Sequence, residues 1–565
     1  MLKFTKTASA ALALSLSGAC ALQEIGPAAD AANDTTAAAV TAAAVQSGLA
    51  PGAAARIEAD VAYLADDARE GREAGTSGYE VAAAYVAERM AALGLTPGGD
   101  DGWFQQVPLR AGVTRQDEVS LSVTGPDGET QVLNNLGDYR LYPSVSDPSF
   151  EITAPAIFIG YGVHAPEAGH DDFAGLNLDG KVVVYFAGAP DSFESEQRAH
   201  YGSGSLTRKE AAKRGAIGAI TLLTTSADKR SPWARRITNP QSASKTWVGP
   251  DGEADIAGSK IKGSAVMNIN VSQVLFEGAP RSFEDVLAEA DAEGGAPKGF
   301  DLAVTVSMKG ALDIKDVTSP NVVGVIPGSD PALKDEYVVL TAHLDHVGVN
   351  ERFQKEGKDG IHNGAMDNAL GVATMLEAAR RLVDEASLAR SVIILAVTAE
   401  EDGLLGADYY AHFPTVPIES IVANVNLDMP LVLHSFTDVI AFGAERSGLG
   451  PIVATAAEEA GVKLSPDPIP EQGLFTRSDH YRFVEKGVPS VFLVVGFENG
   501  GEEKFQEFIT THYHKPTDDI SLPILYEDAA RFADVNYEIA RAVANAPSRP
   551  IWNEGDFFGD LFAGK

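Results

Sequence analysis

Short runs of aliphatic and β-branched residues recur at 321–326, 336–342, 391–398, 421–427, 437–442 and 490–495. The stretches between and after them carry the three-to-four-residue apolar spacing of helices, at 368–385, 404–412, 448–460, 479–486 and 525–545. Strands alternating with helices predict an α/β class: a three-layer sandwich with a mixed, largely parallel central sheet. In such a fold, ligands gather at the C-terminal ends of the strands. The residues that close each apolar run are therefore the ones to read for chemistry.

They are not ordinary turn residues. The first long run ends in His343-Leu-Asp345, whose side chains leave one face of a strand together. Asp367 stands in the Gly-flanked turn Asn363-Gly-Ala-Met-Asp367-Asn368, just before a long helix. Glu400 and Glu401 are adjacent acids after the run 391–398, and Asp428 closes the run 421–427. His512-Tyr513-His514-Lys-Pro-Thr-Asp518-Asp519 precedes the last helix. Each has a plain structural reading alone: an N-cap, a solvated turn, a surface imidazole. Together they place imidazoles and carboxylates at one end of one α/β unit, which points to a metal site.

Cysteine usage restricts the donors. The single cysteine, Cys20, lies in the N-terminal segment, so any metal must be held by His, Asp and Glu, and no intramolecular disulfide forms. The formal net charge of −35 argues against nucleic acid and anionic membrane as partners, since both need clustered Lys and Arg. The segment 1–21 reads as an export signal: Lys3 and Lys6, then an apolar stretch from Ala8 to Leu16 too short to span a bilayer. Ala19-Cys20-Ala21 fits a small-x-small cleavage site, and Gly18-Ala19-Cys20 resembles a lipobox. The expected location is therefore exported: periplasmic, secreted, or an outer-membrane lipoprotein held only through a lipidated Cys20.

Residues 22–54 are an Ala- and Thr-rich leader. Residues 55–149 and 301–547 read as two parts of the catalytic domain, and 548–565 as a short tail. Between them, 150–300 reads as an insert with strands at Ala156-Ile-Phe-Ile-Gly and Gly180-Lys-Val-Val-Val, and polar loops at 224–262. The wording Asn177-Leu-Asp-Gly-Lys-Val-Val-Val resembles the protease-associated (PA) domain, a small α/β module that shapes access to exopeptidase sites.

The order His-x-Asp, Asp, Glu-Glu, Asp, His closely resembles the co-catalytic zinc exopeptidase family of bacterial leucine-type aminopeptidases, glutamate carboxypeptidase II and, more distantly, glutaminyl cyclases. The resemblance covers about 313–545. It implies two zinc ions per chain, one on His343 and Asp428, the other on Glu401 and His514, bridged by Asp367. It implies Glu400 as general base, Asp345 as a carboxylate that orients His343, and Tyr513 as hydrogen-bond donor to the oxyanion. The implied activity is hydrolysis of peptide bonds at chain ends, most naturally N-terminal ones. A carboxypeptidase or dipeptidase is the alternative, with Arg446 and Arg477 as candidate carboxylate-binding cations; a metal-free binding protein and a glutaminyl cyclase are more remote. His346, His362 and His480 receive no ligand role, and His514 is preferred to His512.

Overall fold

Strand Tyr337–His343 lies at the centre of the main sheet, hydrogen-bonded in parallel to Ser391–Val397 on one side and Ile421–Leu427 on the other. Ser490–Val495 continues the parallel order beyond Ile421–Leu427, and Asp438–Phe442 then runs antiparallel to it. On the opposite side the end of the long strand Phe300–Ile326 pairs antiparallel with Ser391–Val397. The sheet is thus mixed, with a parallel centre, as the alternation of apolar runs implies. The computed structural model describes residues 52–254, 261–385 and 387–564. The export segment, Cys20 and all but the end of the leader lie outside the described residues. No helix among the described residues is long and apolar enough to cross a membrane.

Period-two alternation divides the strand side chains between two apolar layers. Val338, Leu340 and Ala342 face one layer, packed with Ile57, Leu376 and Ile539 from helices Ala53–Leu64, Leu370–Glu385 and Tyr526–Asn545. Val339, Ile393 and Leu395 face the other, packed with Ala407, Tyr410 and Phe483 from Leu405–His412 and His480–Val484. Burial on both faces is why these strands read as continuous apolar runs.

A second sheet is ordered 139–143, 263–267, 218–222, 182–186, 149–158, 300–311, 120–124, 130–132. It departs from the segment 150–300 at both ends, because the strands at 120–143 pair within it. The strand Phe300–Ile326 also serves both sheets: 300–311 pairs with Ser149–Phe158 and 312–322 with Phe104–Thr114. One uninterrupted strand therefore carries the chain from one sheet to the other, across the boundary that the sequence suggests at residue 300. Within the stretch read as polar loops, Ser244–Trp247 is a short strand that pairs with Phe104–Thr114 at the edge of the main sheet. The tail also packs: Phe558, on helix Phe557–Phe562, is buried among Phe475, Tyr481 and Val484.

Helices Ala53–Leu64 and Ser77–Ala92 are locked by a buried ion pair. Arg89 donates from Nε to Asp60 Oδ1 at 2.7 Å and from Nη2 to Oδ2 at 2.9 Å, and the Tyr85 hydroxyl donates to the same carboxylate. Both charges are almost wholly buried. Arg89→Met should therefore cost about 3–5 kcal/mol by stranding a buried carboxylate, measured by urea unfolding. A loss under about 1 kcal/mol would mean that the pair behaves like a surface ion pair.

Candidate metal centre and its cavity

The residues singled out at the strand ends converge, and Asp367 is their meeting point. His343 Nε2 lies 3.2 Å from Asp367 Oδ1 and 3.1 Å from Asp428 Oδ1. His514 Nε2 lies 3.2 Å from Asp367 Oδ2 and 3.0 Å from Glu401 Oε2. The two oxygens of one carboxylate thus face two different imidazole–carboxylate pairs. Glu400 and Tyr513 line the same cavity, the Tyr513 ring lying against the His514 ring at 3.8 Å between centroids.

Supporting contacts explain how these side chains are held. Asp518 accepts from the main-chain N–H groups of Met366 (2.8 Å) and Asp367 (3.0 Å), tying the turn before helix Leu370–Glu385 to the loop that bears His514. Asn368 donates to the Leu427 carbonyl and accepts from the Met429 N–H, joining the same turn to the strand end that carries Asp428. Thr341, Asn426, Ser478 and Asp428 form a buried chain: Thr341 Oγ1 donates to Asn426 Oδ1, Asn426 Nδ2 to Ser478 Oγ, and Ser478 Oγ to Asp428 Oδ2, at 2.6, 2.7 and 2.7 Å. Buried polar groups are costly unless paired, so Asn426, inside the apolar strand 421–427, needs these partners, as Asn424 needs Thr341 Oγ1 and the Val339 carbonyl.

Asp345 behaves differently from the expectation. His343 Nδ1 faces the main-chain carbonyl of Asp345 at 3.2 Å, not its carboxylate. The carboxylate instead accepts from the main-chain N–H groups of Glu400 (3.1 Å) and Glu401 (3.3 Å). The turn after strand Ser391–Val397 leaves those two donors without a ladder partner, and a buried carboxylate satisfies both. His343 is still oriented by residue 345, through its backbone, with Nε2 turned to the cluster.

The other candidates separate. His512 stays outside the cluster, its Nδ1 facing the Thr517 carbonyl. His362 faces the Gly348 carbonyl, and His480 lies between the rings of Phe475 and Phe492. Arg446 is not a cavity cation: it pairs with Glu196 and Asp556 and lies over the Phe475 and Phe558 rings. Arg477 does line the cavity, exposed at its rim.

Two buried cations stand behind the acids, outside the residues that the sequence points to. Arg72 is fully buried and donates to the main-chain carbonyls of Leu344, Leu64, Asn363 and Gly364. Lys245, on strand Ser244–Trp247, bridges Glu73 Oε1 (2.8 Å) and Asp402 Oδ2 (3.0 Å), next to the Glu400–Glu401 turn. Only long-range packing brings them here, so neither has a local sequence signal. Ser478 has a faint one: Asn424, Asn426 and Asp428 share one strand face and call for buried partners.

The electrostatics are those of a site with excess negative charge. Burial raises Asp345 to about 7 and Asp518 to about 7, and raises Asp479 to about 8. Desolvation, with Glu401, Asp428 and Asp479 nearby, lifts Glu400 well above the ordinary range against the pull of His343. Burial alone would depress His343 and His514, but the facing carboxylates overcome it, raising His343 strongly and His514 to about 10. Protons held this tightly mark a place where a cation would be favoured.

The cavity in front of these groups has a volume of about 310 Å³. Its far wall is apolar: Leu431, Ile440, Phe442, Phe492, Val494 and Phe497. A polar, acidic floor under an apolar wall suits a ligand with a cationic and an apolar end.

Residues 321–540 match the model of peptidase family M28. The chain is also similar to two curated relatives. One is "probable leucine aminopeptidase 2" of Aspergillus oryzae (strain ATCC 42149 / RIB 40), 30% identical over 188 residues, 32% of this chain and 34% of that protein. The other is "Probable zinc metalloprotease" of Pyrenophora tritici-repentis (strain Pt-1C-BFP), 24% identical over 264 residues, 41% of this chain and 59% of that protein. The chain thus spans about a third and about three fifths of the length of these two relatives. Among solved structures, an aminopeptidase from Aneurinibacillus sp. strain AM-1 shares the fold, with a TM-score of 0.50 and 19% identity over 88% of this chain and 95% of that one.

The Asp345 carboxylate should hold the Glu400–Glu401 turn through the two bonds it accepts from their main-chain N–H groups. Asp345→Ala removes charge-assisted bonds, each of about 1.5–3 kcal/mol. Amide exchange at Glu400 and Glu401, followed by mass spectrometry, should speed up at least about tenfold, which is about 1.4 kcal/mol in opening free energy. Unchanged protection at both amides would show that the carboxylate does not hold this turn.

Proposed function

We propose that the chain is an exported aminopeptidase that works with two zinc ions, one held by His343, Asp367 and Asp428, the other by Asp367, Glu401 and His514. The observation that carries this reading is Asp367, whose two oxygens each face a separate imidazole–carboxylate pair. The donor set fits the ion. Nitrogen and oxygen ligands on a tetrahedral zinc with bonds of about 2.0 Å stand about 3.3 Å apart, and the four separations here are 3.0 to 3.2 Å. Imidazole and carboxylate are donors zinc accepts, and the excess negative charge calls for such a cation. Zinc, when bound, would supply Lewis acidity toward the scissile carbonyl and acidify water.

The remaining chemistry belongs to the chain's own groups. Glu400 faces the cavity, while Glu401 is occupied by imidazoles. With its raised proton affinity, Glu400 takes a proton from the attacking water and returns it to the leaving amine. The Tyr513 hydroxyl, kept protonated by burial and by neighbouring acids, donates to the oxygen that becomes negative. The apolar wall receives the terminal side chain, and the acidic floor attracts a free α-amino group. Export rests on the reading of residues 1–21, and a peptide is the only partner the reading needs.

Glu400→Gln should lower kcat by about 10²- to 10⁴-fold, the range of a general acid–base catalyst, with zinc content by atomic absorption unchanged. Near-wild-type turnover would sink the mechanism. Leucine p-nitroanilide should be hydrolysed, its N-acetyl derivative should not, and a chelator should stop the reaction until zinc is restored. Cleavage of N-blocked dipeptides would favour the carboxypeptidase alternative, with Arg477 at the rim as the carboxylate-binding group.

A further inference from the structure

His346 stands three residues after His343 and is fully buried beside the second imidazole–carboxylate pair. Its Nδ1 lies 2.7 Å from Glu401 Oε1, while His514 Nε2 lies 3.0 Å from Glu401 Oε2. Each oxygen of Glu401 therefore faces a different imidazole. By proximity alone His346, Asp367 and Glu401 form a possible metal-binding group, so the two histidines compete for one role.

The distances separate them. Two ligands of one tetrahedral zinc stand about 3.3 Å apart. His514 meets this toward both partners, at 3.2 Å from Asp367 Oδ2 and 3.0 Å from Glu401 Oε2. His346 is too close to one and too far from the other, at 2.7 Å from Glu401 Oε1 and 3.9 Å from Asp367 Oδ2. The shorter distance is that of a charge-assisted N–H···O bond. An ionised carboxylate only accepts, so the ring nitrogen is the donor.

The ring is also fixed. The main-chain N–H of His346 donates to the Arg72 carbonyl at 3.2 Å. A side chain at Gly364 would meet the His346 ring at 2.7 Å, so the turn before Asp367 closes directly over it. On its other side the ring stands nearly perpendicular to that of His514, 5.6 Å between centroids.

We propose that His346 is a positioning residue for the second zinc: its Nδ1–H donates to Glu401 Oε1 and so presents Oε2 to the ion shared with His514 and Asp367. The proposal rests on the two-zinc reading above and adds a residue to it. Partners that orient a metal ligand in this way typically change affinity by about 10- to 100-fold when lost.

The test is zinc titration into metal-stripped protein, followed by calorimetry, for wild type, His346→Ala and His346→Asn. Wild type should take up two ions. His346→Ala should still take up two, with one affinity about 10- to 100-fold weaker. His346→Asn, whose amide N–H can stand where the ring Nδ1–H stood, should recover most of the loss. In a His514→Ala background, which keeps only the His343–Asp428 ion, adding His346→Ala should change nothing. Unchanged affinities in His346→Ala would overturn the proposal. So would loss of a whole ion at saturation that His346→Asn does not restore, since His346 would then be a ligand. A wild type that binds one ion would overturn the two-zinc reading, and this proposal with it, before any variant is compared. Circular dichroism of the stripped proteins verifies folding, and His346→Gln replaces His346→Ala if the latter does not fold.

Discussion

Crowded negative charge beneath one cavity is the constraint on which the rest of the structure depends. Asp345, Asp367, Glu401, Asp428, Asp479 and Asp518 lie at the ends of strands and turns that meet there, with Glu400 at the cavity wall. Two like charges 4 Å apart repel by about 4 kcal/mol at an effective dielectric of 20. A handful of such pairs would exceed the whole stability of a typical domain. The fold therefore surrounds the acids with compensation of several kinds. Main-chain N–H groups point at Asp345 and Asp518, imidazoles face Asp367, Glu401 and Asp428, and Arg72 stands behind the loops that carry them. Arg72 is itself an expensive group to bury, and its proton affinity falls to about 10 despite the carboxylates around it. It is tolerated because four carbonyl oxygens receive it.

The second sheet takes part in this arrangement. Strand Phe300–Ile326 belongs to both sheets, and Ser244–Trp247 returns from the second unit to the edge of the first. Lys245 on that returning strand meets Asp402 and Glu73. Glu73 follows Arg72, and Asp402 follows Glu401. The turn that carries Arg72 and the turn that carries Glu400 and Glu401 are thus tied through the Lys245 side chain. Trp247, two residues on, donates to Asp408 at the start of the next helix. A buried lysine between two carboxylates would be a poor substitute for apolar packing on stability grounds alone. Its value here is geometric, in fixing where the Glu400–Glu401 turn sits.

Much of the fold was legible because each main-sheet strand is buried on both faces and each helix on one, so apolar periodicity reports burial directly. The strand at 337–343 and the helix at 370–385 fall within a residue or two of their expected bounds. The site was legible for the same reason: polar residues that end a fully buried strand have no structural need to be His or Asp. What stayed hidden depends on partners far along the chain. Asp345 offers a carboxylate and a carbonyl near one imidazole, and sequence cannot say which is used, because the choice depends on the unpaired amides of residues 400 and 401. His346 reads like any buried histidine until Glu401 is placed beside it. Arg72 sits in what reads as a glycine-rich turn, 272 residues from the carbonyl of Leu344 that it binds. The helix Gly501–Thr511 lies outside the expected elements, although Phe505, Phe508 and Ile509 give it a short apolar stripe.

Glu400 and Glu401 show how position alone gives one residue type two different environments. They are neighbours in sequence and their main-chain N–H groups share the Asp345 carboxylate. Their side chains then leave the turn in different directions. Glu401 lies between His346 and His514; desolvation and Asp367 act to raise it, but the two imidazoles prevail and hold it at about 2. A carboxylate with so low a proton affinity stays ionised and is a poor base. Glu400 meets no such pair. It looks into the cavity, where burial and the surrounding acids raise its affinity for a proton against the pull of His343. A carboxylate of raised affinity can accept a proton and release it again, which is what hydrolysis of an amide requires. Under the proposed reading Glu400 is the base and Glu401 the ligand because Glu401 faces the imidazoles, and the Asp345 carboxylate ties the turn that carries both.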